Sequence, residues 1–227
     1  MTKSKKKKFK KNIVTLLLLV FLSYLGYTFR FYIADGYNYL VDRISGKSTL
    51  RAIPMLSAVE RTKLNYGDRV DKIAKEFGIS PQYLKALIVL ECSGEQNPKP
   101  RYESHIFDRL KEVRDGTRKK YESITTKILE GASDGALKNL ATSWGAFQLM
   151  GYKCVQMDIS IAEIRGRKSL YYSVKWIDEE YGYLLKKKRF KDAFHYHNTG
   201  RKHPIIGRAR THNPKYVELG LAYMKKF

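Results

Sequence analysis

The stretch ISPQYLKALIVLECSG, residues 79–94, decides the fold of this chain. Its sequence predicts a well-bounded helix. Ser80 is a favourable N-cap, and Pro81 suits the first helical turn because its missing N–H has no partner there anyway. At the other end, Gly94 readily leaves the right-handed conformation. The helix is therefore expected to begin and end within this stretch.

The same helix carries a carboxylate on its apolar face. Glu91 follows Leu84, Leu87 and Ile88 by seven, four and three positions, which is the spacing of one helix face. Burial and the negative end of the helix dipole both favour the protonated carboxyl at this position. We therefore interpret Glu91 as a candidate general acid. The alternative is a structural carboxylate that points to water or pairs with an arginine.

The chain is strongly basic. Its 227 residues include 44 Lys and Arg against 22 Asp and Glu, for a net charge of +22. Seven of the lysines lie in the first twelve residues, and the rest of the chain still carries +15. This excess indicates an anionic partner, for which nucleic acid, acidic lipid and an acidic cell-wall polymer all qualify.

The N-terminal part predicts a membrane anchor. Residues 1–12 form a basic cytoplasmic tail, and residues 13–29 are an uninterrupted apolar run that is just long enough to span a bilayer. The positive-inside rule places everything after the run on the extracytoplasmic side of the cell (inner) membrane. A cleaved signal peptide is the alternative, but no small-x-small cleavage site follows the run. Residues 30–56 are interpreted as a stalk and residues 57–227 as one domain.

Helical patterns dominate the domain. Ser57 and Glu60 form a candidate capping box, and Asp68 is expected to start a second short helix that runs to Phe77 and ends at Gly78.

Further helical patterning occurs in Ile106–Val113, Ala136–Leu140, Ser169–Leu185 and Pro214–Met224. No run alternates convincingly with period two. The predicted fold class is mainly α, with at most a small hairpin between Asn97 and His105.

Two cysteines, Cys92 and Cys154, could form a disulfide in an exported domain or remain two buried thiols. The four C-terminal histidines lack acidic or cysteine ligands at standard spacing, so no metal site is predicted. These histidines are His195, His197, His203 and His212.

Three further segments supply candidate site residues. In KPRYESHIFDRL, Glu103 follows Glu91 closely enough to face it across a cleft, as the acid and base of a glycosidase do. Alternatively, Glu103 is a surface charge or a partner of Arg101 or Arg109. His105 lies two residues further on.

In ATSWGAFQLMG, residues 141–151, Gln148 is a single amide in an apolar turn and needs a partner. Trp144 could stack on a sugar ring, although a packed aromatic turn explains it equally well. The third segment, DAFHYHNTGRKH, offers Tyr196, His197 and Asn198.

Taken in order, ECSG, RYESHIF, SWGAFQLMG and HNTG resemble the lysozyme-like superfamily, and specifically its N-acetylmuramidase endolysin branch. That branch has Glu-Ser-Gly-Gly, Phe-Glu-x-His-Ile-Phe, Ser-Trp-Gly-x-x-Gln-x-Met-Gly and Tyr-Asn-Gly segments. Lytic transglycosylases have a related series. The resemblance covers about residues 66–227.

The resemblance implies a role for each matching residue. Glu91 would be the catalytic acid, Glu103 a second catalytic carboxylate and His105 a residue that lines or braces the site. The residues implied to contact the glycan are Ser143, Trp144, Gln148, Tyr196, His197 and Asn198. Two departures stand out: Cys92 occupies a position where a serine is usual, and His197 replaces the tyrosine of Tyr-Asn.

The resemblance thus implies a membrane-anchored enzyme that cleaves the β-1,4 bond between N-acetylmuramic acid and N-acetylglucosamine in peptidoglycan, by hydrolysis or lytic transglycosylation and without a cofactor. A non-catalytic wall-binding or assembly protein of an envelope apparatus, which keeps the same groove, is the alternative. Nucleic acid is not expected as a partner, because the anchor places the basic domain outside the cytoplasm and no nucleic-acid-binding motif is found.

Overall fold

The structure is a computed structural model that describes residues 56–227. These residues are the second of the two units into which the chain divides, Leu56–Phe227. The predicted tail and apolar run, and the predicted stalk up to residue 55, lie outside the described residues. No helix from Leu56 onward has the length and apolar character needed to cross a membrane.

The described unit is mainly helical, as the sequence predicts. Its helices are α1 Ala58–Phe77, α2 Pro81–Cys92, α3 Ser104–Arg114, α4 Thr126–Leu129, α5 Asp134–Leu140, α6 Lys153–Gln156, α7 Ile161–Arg165, α8 Ser169–Lys186, α9 Phe190–Thr199 and α10 Tyr216–Met224. Its strands are β1 Arg101–Tyr102, β2 Lys120–Tyr121, β3 Ile124–Thr125, β4 Thr142–Trp144 and β5 Leu149–Met150. They form a three-stranded antiparallel sheet in the order β1-β4-β5 and a separate β2-β3 pair.

Helix α1 corrects the expectation of two short helices. It is continuous over 20 residues, and Asp68 lies in its interior instead of starting a second helix. The predicted capping box is confirmed, because Ser57 Oγ accepts from the N–H of Glu60 at 3.2 Å and Glu60 Oε2 accepts from the N–H of Ser57 at 2.7 Å. The helix continues past Asp68 because its buried stripe does, through Thr62, Tyr66, Val70 and Ala74.

The predicted hairpin between Asn97 and His105 is also wrong. A strand does lie there, but β1 pairs with β4, so that Arg101 faces Ser143 and Tyr102 faces Thr142. The hairpins are instead β2-β3 and β4-β5. Because this partner of β1 comes about 40 residues later, the local pattern could not indicate it.

Helix α2 lies at the centre of the larger core. Ser80 caps it, and its buried residues include Tyr83, Leu84, Leu87 and Ile88. It packs against α1 and α10. A second core forms around Leu110 of α3, and the β4-β5 hairpin joins the two cores, since Phe147 belongs to the first and Met150 packs against the second. The hairpin is thereby fixed next to the C-terminal end of α2.

Candidate active site

Glu91 lies in the last turn of α2, and its side chain is only 16% exposed. The hydroxyl of Tyr216, on α10, donates a hydrogen bond to Glu91 Oε1. His197 Nε2, on α9, lies 3.7 Å from the same oxygen. No lysine or arginine among residues 56–227 forms an ion pair with this carboxylate. The site therefore holds a mostly buried carboxyl group that receives a neutral hydrogen-bond donor.

A chain of buried hydroxyls orients His197. The Tyr83 hydroxyl donates to the Tyr181 hydroxyl at 3.3 Å, and the Tyr181 hydroxyl lies 2.7 Å from His197 Nδ1. Burial raises the pKa of Tyr181 well above its ordinary value, so this phenol keeps its proton. With Tyr181 as the donor, we assign the imidazole proton to Nε2, which faces Glu91.

The imidazole itself is neutral near pH 7. Burial lowers the pKa of His197, and this effect outweighs the opposing influence of Glu91 and of the Phe147 backbone. Burial, together with the charge of Glu91, raises the pKa of Tyr216 well above its ordinary value. The two groups that contact Glu91, Tyr216 and His197, are therefore both neutral.

Glu91 opens onto a cavity of about 460 Å³, which we call the acid groove. Gln148 and Arg101 also line it, together with the 98–100 segment. Gln148 is shared with a neighbouring cavity of about 480 Å³ that is lined by Tyr196, His197 and Asn198. Glu91 thus lies at an open groove that Gln148 connects with the C-terminal segment.

Gln148 is held in a rare backbone conformation, with φ of 48°. Its Oε1 accepts from Ser143 Oγ at 2.8 Å, and its Nε2 donates to the carbonyl of Gly145 at 3.0 Å. The amide therefore has the partners that the sequence required. A left-handed non-glycine residue beside a groove is a common feature of functional sites.

Glu103 and His105 lie at the start of α3. Glu103 precedes the helix, and its Oε1 is 2.7 Å from Arg101 Nε, while its Oε2 is 3.7 Å from His105 Nδ1. The side chain of His105 is 60% exposed. Neither residue lines the acid groove, whereas Arg101 does. Glu103 is therefore linked to the groove through its ion pair with Arg101.

Trp144 is separated from Glu91. Its Nε1 donates to the carbonyl of Asn139 at 3.0 Å, and the Arg165 guanidinium lies over its ring at 4.6 Å. It lines a different cavity, of about 560 Å³, which shares Pro98 and Pro100 with the acid groove. The β4-β5 hairpin therefore lines both cavities, with Trp144 in one and Gln148 in the other.

The C-terminal segment brings one predicted residue to Glu91 and leaves two at a distance. Tyr196 donates to Glu180 Oε2 at 3.4 Å, and Asn198 Oδ1 accepts from the N–H of His212 at 3.1 Å. Both line the neighbouring cavity. His197 alone of the three forms a close contact with Glu91.

The cysteines are free thiols, with Cys92 half-buried and Cys154 buried. Burial raises the pKa of both to about 11, so both are protonated and unreactive near neutral pH. Among the described residues, no group of three His, Cys, Asp or Glu side chains is arranged to hold a metal ion.

Sequence reasoning missed the tyrosines of the site. Tyr83, Tyr181 and Tyr216 occupy helical positions that look like ordinary core positions. A usable signal exists, because a buried phenol requires a partner for its hydroxyl. That signal identifies the need for a partner but not Glu91 or His197 as the partner.

No protein-family model and no curated protein sequence matches this chain. Among solved structures, the chain is similar to the crystal structure of the Burkholderia AP3 phage endolysin. The two share 20% sequence identity over 70% of each chain, with a TM-score of 0.49.

Proposed function

We propose that the domain 57–227 is a lysozyme-like peptidoglycan glycosidase that cleaves the β-1,4 bond between N-acetylmuramic acid and N-acetylglucosamine, with Glu91 as the general acid. One observation carries the proposal. Glu91 is a mostly buried carboxyl group, without a cationic partner, at the edge of an open groove. The resemblance of the ECSG, ESHIF and SWGAFQLMG segments to the N-acetylmuramidase endolysin branch supports this substrate class.

The two carboxyl oxygens of Glu91 have different contacts and would have different roles. Oε1 accepts from Tyr216, which leaves Oε2 free to carry the acidic proton. Transfer of that proton to the bridging oxygen lets the glycosidic C–O bond break with its electron pair on the leaving sugar. The Tyr216 hydroxyl then stabilises the carboxylate that remains. His197, neutral through burial, adds no positive charge beside Glu91.

Two routes complete the reaction. In hydrolysis, a second carboxylate activates water, and Glu103 is our candidate for that base. In lytic transglycosylation, the muramyl hydroxyl of the substrate attacks instead and gives its proton back to the Glu91 carboxylate. Glu103 is ion-paired with Arg101 and does not itself line the acid groove.

We further propose that residues 13–29 anchor the protein in the cell membrane, with the domain on the outer side, and that the positive charge of the chain holds it to the anionic wall. The basic residues 1–12 ahead of the apolar run motivate this orientation. A reporter fused after Phe227 tests it, since activity of that fusion inside the cytoplasm would refute the orientation.

The decisive experiment compares the full-length protein with its Glu91→Gln variant on purified peptidoglycan. The amide keeps the shape of the side chain but cannot donate the acidic proton, so we expect turnover to fall about 10²- to 10⁴-fold. Glu76→Gln, an exposed carboxylate on α1, is the matched control and should remain active. Circular dichroism checks folding, and sedimentation with sacculi checks binding.

Two outcomes would contradict the proposal. Equal activity of both proteins would show that Glu91 is not the acid. An inactive parent that still binds sacculi would instead favour a wall-binding or assembly protein.

A further inference from the structure

The cavity of about 560 Å³ that contains Trp144 has a different chemistry from the acid groove. We call it the arginine cavity. It is lined by Tyr66, Arg69, Trp144, Arg165, Arg167 and Ser169, among others, and no acidic residue lines it. Pro98 and Pro100 line both this cavity and the acid groove. The two cavities are therefore neighbours across one short segment of chain.

None of the three arginines forms an ion pair with a carboxylate of the described chain. Two of them are oriented by aromatic rings. Arg165 lies 4.6 Å from the ring centre of Trp144, and Arg69 lies 5.4 Å from that of Tyr66. Stacking of this kind fixes the guanidinium plane and leaves N–H groups available to a ligand, although Arg69 Nη2 already donates to the carbonyl of Asn65 at 2.9 Å. The cavity thus presents oriented positive charges without internal neutralisation.

The wall of the cavity adds a further polar group and a dipole. Ser169 Oγ is buried without a hydrogen-bond partner in the described part of the chain. Ser169 is also the first residue of α8, an 18-residue helix without a side-chain cap at its N-terminus. The N-terminal end of a helix carries a partial positive charge that favours anions. The helix end supports the same ligand chemistry as the arginines, whereas the buried Ser169 hydroxyl belongs to the wall behind it.

Gly145 allows the β4-β5 hairpin to pack against the start of α8 in the wall of the arginine cavity. Its φ of 71° is in the left-handed region, and a Cβ there would lie 2.2 Å from Ser169 Oγ. Only glycine therefore lets the hairpin approach the start of α8 this closely. The arginine cavity depends on the same hairpin that positions Gln148 in the acid groove.

We propose that the arginine cavity binds an oxyanion carried by the wall polymer, and that this oxyanion is a carboxylate of the peptide stem attached to muramic acid. This inference rests on the proposed function, because a glycan in the acid groove would bring its own peptide substituent to the neighbouring cavity. Gln96 and Asn97 also line the cavity, and their amides can hydrogen-bond a peptide backbone. Phosphate groups of other wall polymers share the oxyanion chemistry and are the competing source.

The test uses the full-length Glu91→Gln protein, so that substrate is not consumed. The test variant adds Arg165→Gln and Arg167→Gln to this protein. The control variant adds Lys72→Gln and Lys127→Gln instead, which removes the same charge from exposed sites elsewhere. Binding is measured at one salt concentration to intact sacculi, to sacculi freed of phosphate polymers, and to glycan strands stripped of stems by an amidase.

We expect the arginine variant to bind intact and phosphate-free sacculi about tenfold more weakly than the lysine control, which is about 1.4 kcal/mol. The two variants should bind stem-free glycan equally. Equal affinities of the two variants on intact sacculi would overturn the proposal, as would a tenfold difference that persists on stem-free glycan. A difference lost on removal of phosphate polymers would overturn the assignment to the stem.

This measurement is independent of catalysis. A parent protein that cleaves neither sacculi nor stem-free glycan would refute the proposed glycosidase function. The stem-dependent difference in affinity would still stand as evidence for the arginine cavity.

Discussion

The acid groove and the arginine cavity share Pro98 and Pro100 but differ in the charged groups that line them. In the acid groove, Glu91 is mostly buried and is contacted by the neutral groups of Tyr216 and His197. In the arginine cavity, guanidinium groups remain accessible and lie over aromatic rings. A proton donor requires desolvation, whereas recognition of an anion requires unneutralised cations.

One hairpin serves both sides. Ser143 and Gln148 are joined by a hydrogen bond, and Gln148 lines the acid groove, whereas Trp144 and Gly145 line the arginine cavity. A single sequence segment therefore lines both the proposed reaction site and the proposed binding site. Substitutions in the two cavities should accordingly separate turnover from stem-dependent binding.

Among the substitutions that test this separation, Glu103→Gln is expected to have the largest effect on turnover. If Glu103 activates water, turnover on stem-free glycan should fall about 100-fold, and Gln148→Ala should cost less, because an amide can orient groups but cannot accept the proton. Mass spectrometry of the products checks the route. Turnover near that of the parent, together with anhydromuramyl ends lighter by one water, would assign the reaction to lytic transglycosylation.

A smaller effect is expected for Tyr216→Phe. This change removes the hydroxyl that bonds Glu91 Oε1 but keeps the buried ring. Because a hydrogen bond to a charged group contributes about 1.5–3 kcal/mol, turnover should fall about tenfold or more. Affinity for intact sacculi should not change. Tyr223→Phe on the same helix is the control, and equal turnover of the two variants would remove Tyr216 from the reaction.

The smallest effect is expected for His197 and concerns how the stability of the folded protein depends on pH. His197 has a lowered pKa in the folded protein, whereas in the unfolded chain it takes up a proton near its ordinary value of 6.5. Its contribution to stability is therefore complete above pH 6.5 and is lost as the pH falls below that value.

The thermal midpoint should accordingly fall less between pH 7 and pH 5 in His197→Gln than in the parent. The difference should be about 2–4 °C for each kcal/mol of unfolding free energy that the parent loses through protonation of His197 in the unfolded chain. The exposed His212, replaced by Gln, should leave the pH dependence as it is in the parent. Identical pH profiles for the parent and His197→Gln would show that burial does not hold this imidazole neutral.

The sequence by itself determined the features that depend on neighbouring residues. The cap at Ser80, the capping box at Ser57 and the left-handed Gly78 all lie where the local pattern predicts them. The apolar spacing that places Glu91 at the C-terminal end of α2 is likewise a local property, set by the 3.6-residue period of the helix. The mainly helical content follows from the same patterns.

Tertiary structure alone decided which distant groups meet. The pairing of β1 with β4 joins segments about 40 residues apart, and the contact between Tyr216 and Glu91 joins residues 125 positions apart. It likewise divided the 141–151 segment between two cavities and kept Cys92 and Cys154 as separate thiols. Local spacing specifies which face of a helix a residue occupies. The partner that it meets there depends on how the helices and the hairpin pack, which is a property of the whole chain.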